Sequence, residues 1–338
     1  MGNIDISGVT LDAIKSRTAT LRNMILRTPV VPLQTPLIEG VMGGGEIVLK
    51  LECFQHTGTF KARGALSVAQ QIAQEKRGLG ITAASAGNHA IAAAWAARQS
   101  GMSAKVVMQN TANPFRIACA KAQQAEVILC NPGPETFAEA ERLSRDEGRT
   151  FIHPFEGIDT TLGTAGVGLE FIQDVPDLDA VIVSVGGGGL ISGIAAAVKA
   201  VNPNCKVFGV EPTGADAMSR SLASGVPITL DRTTTIADSL APPMALPIGH
   251  ALCVAFVDDI VTVTDDQICA GMVVLQQEAK LAVEPAAGAV MAAMLGPLRA
   301  RLMGQKVGLV ICGANIDAAT FETLLARGRT HLDGLIAN

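Results

Sequence analysis

The chain has 338 residues, 49% of them hydrophobic and 17% charged, with a formal net charge of -5. That balance excludes a disordered chain and describes a largely buried α/β body, and the net acidity excludes a broad phosphate-binding footprint, so no nucleic-acid partner is expected. No apolar run reaches the roughly 20 residues of a membrane span, so no membrane partner is expected either.

The first residues, Met1-Gly2-Asn3-Ile4-Asp5-Ile6, lack a basic region followed by an apolar core, and Ile6 fails the myristoylation pattern. A cytoplasmic location follows as the expectation. Seven cysteines are scattered without a CxxC pair. Six read as small buried residues of a reducing compartment; Cys312 is taken up below.

Leu11, Ile14, Leu21, Met24 and Ile25 have helical spacing over 11–26, and Pro29, Pro32 and Pro36 then mark an extended lead-in. Strand-like runs follow at 46–51, 80–84, 104–109, 125–130, 150–153, 180–185, 206–210, 260–263 and 306–312. Helical patterns lie between them at 88–100, 114–124, 135–147, 158–173, 190–201 and 265–279, then at 285–302 and 317–327. This alternation predicts parallel sheets with helices on both faces and a ligand site beyond the carboxyl ends of the strands. No repeat or low-complexity tract is visible, and no regulatory domain is expected after the last helix.

Four segments at strand ends carry chemistry. The first is Gln55-His56-Thr57-Gly58-Thr59-Phe60-Lys61-Ala62-Arg63-Gly64-Ala65, where a Gly/Thr turn gives way to a helical pattern at Lys61. A lysine whose surroundings lower its pKa can condense with a carbonyl cofactor. The second is Ser85-Ala86-Gly87-Asn88-His89, small residues at a helix start, where backbone N–H groups face an anion such as a carboxylate. Asn88 adds a donor and an acceptor.

The third is Gly186-Gly187-Gly188-Gly189 between a strand and a helix. Four glycines are costly in chain entropy, so a structural demand is expected to offset them. Strand, glycine turn and helix start make a cradle for a phosphate. The dinucleotide pattern GxGxxG fails at Ile191, which favours a lone phosphate. The fourth is Ile311-Cys312-Gly313-Ala314-Asn315, at the end of the last strand and so expected on the same edge.

Together these segments resemble the fold-type II pyridoxal-phosphate enzymes, and within them the serine/threonine dehydratases. The resemblance runs from about residue 18 to the C-terminus. It implies an α/β fold like the tryptophan synthase β subunit, with two parallel-sheet domains and the cofactor in the cleft between them. It divides the chain into a large cofactor-binding domain, 1–53 and 154–338, and a small mobile domain, 54–153. It implies that Lys61 holds pyridoxal 5'-phosphate as an imine, with Phe60 and Asn88 on the ring, Asn88 on its 3'-oxygen. Gly186, Gly187, Gly188 and Gly189 would bind the phosphate, and Cys312 would sit beside the pyridine nitrogen. Ser85, Ala86, Gly87, Asn88 and His89 would form the carboxylate loop, and Glu284 would lie near the substrate.

The chain departs from the pattern in places. Metal-binding relatives carry two acids and a carbonyl after a strand; here Glu211 and Ala215 are present, but Ala217 replaces the second acid, and Asp216 stands one position early. No metal is predicted. Ser239 replaces the glycine usual beside the ring.

The implied activity is β-elimination on a β-hydroxy L-amino acid, threonine or serine foremost, giving 2-oxobutanoate or pyruvate plus ammonia. The partner is a small amino acid, and the assembly a homodimer or homotetramer. The rivals are a serine racemase, a β-replacing enzyme and a non-catalytic binding protein. Racemases that resemble this chain have serine at the position of Ala86, and alanine cannot move a proton. Lys61, Asn88 and the tetraglycine turn together argue against a non-catalytic protein.

Overall fold

A computed structural model describes residues 4–85 and 87–337. Among the described residues ten strands form two sheets. The first contains β1 (Val30–Pro32), β2 (Glu46–Lys50), β7 (Ala180–Ser184), β8 (Lys206–Pro212), β9 (Asp259–Val263) and β10 (Lys306–Val310), in the order β1-β2-β10-β7-β8-β9. The second contains β3 (Ile81–Ala84), β4 (Ala104–Gln109), β5 (Glu126–Cys130) and β6 (Thr150–Phe151), in the order β5-β4-β3-β6. Every pairing is parallel except β1 with β2. The central strands β3 and β7 are buried along their whole length, as parallel strands covered on both faces should be.

The nine expected strands are present, with ends shifted by at most two residues. The prolines of the lead-in do more than mark extended chain. Val30–Pro32 pairs antiparallel with β2, Pro32 opposite Val48. An edge strand tolerates proline because one of its sides has no hydrogen bonds to make.

The helical pattern at 285–302 breaks. The helix Pro285–Leu295 ends at Gly296, and a separate turn spans Arg299–Leu302. Pro297 disfavours helical backbone at the residue before it and has no N–H to continue the ladder. Helices at Pro36–Met42, Ala217–Ser224 and Pro247–Phe256 lie outside the expected set.

Two helices position the first sequence segment. Lys61–Gln71 packs on Ile158–Asp174, which in turn packs on Gly189–Val201. The first contact is backbone against backbone: a Cβ on Gly163 would stand 2.6 Å from the Arg63 carbonyl oxygen. Glycine is therefore required there, and the helix that begins with Lys61 is tied, through Ile158–Asp174, to the helix that the tetraglycine turn opens onto.

Candidate active site

A cavity of about 780 Å³ opens between the two sheets, at the carboxyl ends of β3 and β7 and beyond β10. Lys61, Phe60, Ser85, Gly87, Asn88 and His89 line it, as do Gly186, Gly187, Gly188, Gly189, Glu284 and Cys312. Four sequence segments far apart in the chain thus meet in one cleft. Ala86 lies outside the described residues.

The turn before Lys61 is pinned to the exit of β10. Thr57 has φ of +66°, left-handed backbone that a β-branched residue adopts only under constraint. The constraint is visible: Asn315 Nδ2 donates to the Thr57 carbonyl at 2.8 Å, and the Ala314 N–H donates to the Gly58 carbonyl at 2.9 Å. Phe60 N–H and Thr59 Oγ1 both donate to the Cys312 carbonyl, each at 3.1 Å. Lys61 and Cys312 are therefore fixed relative to one another by backbone. Lys61 Nζ donates to the Pro154 carbonyl at 2.7 Å. Burial pushes this amine down to about 8, against the opposing pull of Cys312 and Glu284. A lysine poised there can act as nucleophile or base near neutrality.

The tetraglycine turn has the structural demand expected of it. A Cβ on Gly187 would fall 2.2 Å from the Phe155 ring, and Gly188 has φ of +90°. The helix Gly189–Val201 starts at this turn, so its first N–H groups lack intrahelical acceptors and its dipole favours an anion. An aldehyde-bearing aromatic phosphate fits these residues: an amine for the carbonyl and a helix-start cradle for the phosphate.

Asn88, Glu284 and Asn315 form a buried network. Asn88 Nδ2 lies 2.8 and 2.9 Å from the two Glu284 carboxylate oxygens, and Asn88 Oδ1 accepts from Asn315 Nδ2 at 2.8 Å. At least one Asn88 N–H is thus committed to Glu284, which narrows what it can offer a ring oxygen. Ser239 Oγ donates to Glu284 at 3.2 Å, so the residue that departs from the family pattern serves the same carboxylate. Burial raises Glu284 above the usual carboxylate range, although Arg116, Asn88 and Ser239 oppose the shift.

The His89 side chain bonds the Ile152 carbonyl at 2.8 Å, and burial pushes its imidazole down to about 3. That leaves its backbone, in the first turn of Asn88–Gln99, to face an anion. Cys312 is buried, and burial pushes its thiol far above the ordinary range. Ser184 Oγ donates to its sulfur at 3.4 Å. Glu211 stands away from the cavity lining. The N–H groups of Met218 and Ser219 and the Ser219 hydroxyl occupy its oxygens, while burial pushes it up to about 7.

Sequence reasoning missed His153, Pro154, Ser184, Arg116 and Asp238, all of which line the cavity. A signal existed for His153, which ends the predicted strand at 150–153, and for Pro154, which follows it. None existed for Arg116 and Asp238, whose ion pair at 2.5 Å joins residues 122 apart.

Residues 21–313 match the family model described as "Pyridoxal-phosphate dependent enzyme". The chain is 45% identical to a phenylserine dehydratase of Ralstonia pickettii, covering 94% of this chain and 97% of that one. It is 36% identical to an L-threonine ammonia-lyase of Thermotoga maritima, covering 95% of this chain and 79% of the other. Among solved structures, maize serine racemase superposes with a TM-score of 0.87 at 32% identity, covering 95% of this chain and 98% of that one.

Proposed function

The chain belongs to the pyridoxal-phosphate-dependent enzymes, and on that footing we propose that it is an ammonia-lyase of β-hydroxy L-amino acids with an aryl β-substituent. The observation that carries the reaction is Lys61, an amine pushed down to about 8 at the head of a cavity that ends in a helix-start anion cradle. When bound, the cofactor supplies an electron sink for the pair left at Cα.

This chain's residues do the rest. The N–H groups at the start of Asn88–Gln99 hold the substrate carboxylate, and those of the glycine turn hold the phosphate. Lys61, its amine free, takes the proton from Cα. The proton taken from Cα balances the hydroxide lost from Cβ, so the elimination releases one water, and the released unsaturated amine hydrolyses to a 2-oxo acid and ammonia. Racemisation would need a second proton carrier, and where similar racemases have serine this chain has Ala86, whose methyl group carries no transferable proton.

The substrate class rests on the cavity wall and on the kinship with a phenylserine dehydratase. Phe137, Phe155, Leu240, Pro242, Pro243 and Met244 face the cavity. Among the described lining residues the one lysine or arginine besides Lys61 is Arg116, and it is engaged by Asp238 and the Asn315 carbonyl. A second substrate carboxylate would find no free cation, whereas a phenyl group would find an apolar wall. The reading extends to a homodimer or homotetramer in the cytoplasm and to 54–153 moving as a unit. Among the described residues no helix is long and apolar enough to cross a membrane.

An ammonia-release screen tests it. L-threo-phenylserine should turn over fastest, then threonine, then serine; 3-hydroxyaspartate in first place would overturn the substrate class. Lys61→Ala should lose both turnover and the absorption band of bound cofactor while keeping its fold; retained turnover would sink the assignment. A base works deprotonated, so turnover should fall as pH drops through about 8, the value to which burial lowers Lys61. A pH-independent rate between 6 and 9 would remove Lys61 as the base.

A further inference from the structure

We propose that His153 reads the substrate's β-hydroxyl, presenting its Nε2–H to the cavity as a fixed hydrogen-bond donor set among the aromatic side chains that receive the β-substituent. The inference rests on the β-hydroxy amino acid reading above and adds the residue that recognises the group to be eliminated.

The tautomer is set by backbone. His153 Nδ1 accepts from the N–H groups of Phe155 at 3.3 Å and Glu156 at 3.0 Å. A nitrogen that accepts two N–H bonds carries a lone pair, so the imidazole proton is on Nε2. Among the described residues Nε2 has no protein partner, and His153 lines the cavity. The ring cannot swing freely. Phe155 meets it edge-on with centroids 4.7 Å apart, Phe151 does so at 5.8 Å, and Phe137 stands 6.0 Å away.

The placement matches the reaction. The residue after His153 is Pro154, whose carbonyl accepts from Lys61 Nζ at 2.7 Å. The amine that takes the Cα proton is therefore hydrogen-bonded to the residue next to the donor offered to the oxygen on Cβ, and their targets sit on adjacent carbons. Burial and the nearby Lys61 push the imidazole down to about 4, so it is neutral at physiological pH. A neutral imidazole keeps its proton. The role is a hydrogen bond that orients the C–O bond and steadies charge growing on its oxygen. It is a donor set against Phe137 and Phe155, where an unpaired polar group costs most.

The experiment separates hydroxyl recognition from general damage. α-Methylphenylserine and α-methylphenylalanine differ by the hydroxyl alone, and neither has a Cα proton to lose. Their dissociation constants are read from absorption changes of the holoenzyme. The unaltered enzyme should favour the hydroxylated ligand by about tenfold or more. His153→Phe should abolish that preference and leave α-methylphenylalanine affinity and the melting midpoint unchanged. His153→Gln, which keeps an N–H donor, should restore part of it. A preference that survives in His153→Phe would overturn the proposal. Equal loss of both ligands would overturn it too, reducing His153 to a wall. If the unaltered enzyme releases no ammonia from any β-hydroxy amino acid, the reaction reading itself fails, and the role of His153 fails with it.

Discussion

Two polar clusters tie the helix Lys61–Gln71 and its sheet to the larger sheet, and they are built on opposite terms. The first lies beneath Lys61. Arg63 donates to both oxygens of Glu52 and both of Glu170, at 2.8 Å in each case, and Lys50 reaches Glu170 at 2.8 Å. Thr28 Oγ1 donates to Glu52 at 2.5 Å. All four charged groups are buried and their formal charges cancel. Burial alone would raise Glu170, but the bonds and charges of Arg63 and Lys50 bring it below its usual range. The second cluster lines the cavity. Arg116 bonds Asp238 at 2.5 Å and the Asn315 carbonyl at 3.0 Å, and it stands 3.8 Å from Glu284. Asp238 is half exposed, and Glu284 remains above its usual range. A sealed, balanced cluster fixes a backbone; an open, unbalanced one can answer a ligand. The difference teaches where stability and function should separate.

Arg63→Met gives the largest expected effect. It leaves two buried carboxylates facing only Lys50, so unfolding free energy should fall by about 3–5 kcal/mol. Urea denaturation measures it. A loss below about 1 kcal/mol, the scale of an exposed ion pair, would break the distinction between the clusters.

Arg116→Leu should act the other way. Its partner Asp238 is solvated, so stability should change by about 1 kcal/mol or less. Glu284 would lose its nearest cation and shift further up. Asn88, bonded to the Glu284 carboxylate, would be held less tightly, and kcat/KM should drop roughly tenfold to a hundredfold. Comparing Arg116→Leu with Arg63→Met in one melting and kinetic series sharpens the contrast. An Arg116 variant that melts early with unchanged kinetics would reverse it.

Neither cluster was legible in the sequence, although much else was. The strands declared themselves because burial on both faces demands continuous apolar runs, as in Ala180–Ser184. Lys61, Asn88 and the glycine turn declared themselves because local backbone chemistry, a turn meeting a helix start, is written in adjacent residues. The Arg63–Glu170 and Arg116–Asp238 pairs join positions 107 and 122 apart, and no local pattern encodes such a meeting. His153 escaped for another reason. Its role depends on which ring nitrogen the following backbone N–H groups occupy, and that is set by the chain's bend after β6. The break at Gly296 could have been read, since Pro297 was in view.

Cys312 provides the smallest and most discriminating test, because it sits where the two kinds of environment meet. Its carbonyl belongs to the rigid side, gripped by Phe60 N–H and Thr59 Oγ1. Its sulfur faces the cavity and accepts from Ser184. Burial, with Glu284 adding to it, keeps the thiol neutral. Cys312→Ser retains a small neutral hydrogen-bonding group and leaves the backbone grip untouched. Activity should stay within roughly tenfold, or about 1.4 kcal/mol in barrier. Cys312→Asp places a carboxylate in the same buried space, near Glu284, and elimination should fall much further because two like charges cannot both remain ionised there. Steady-state rates of the two variants decide between a neutral side chain and a mere backbone anchor. If serine proves as damaging as aspartate, neutrality at this position is not what the site requires, and the sulfur itself must be contacting the bound group in a way an oxygen cannot replace.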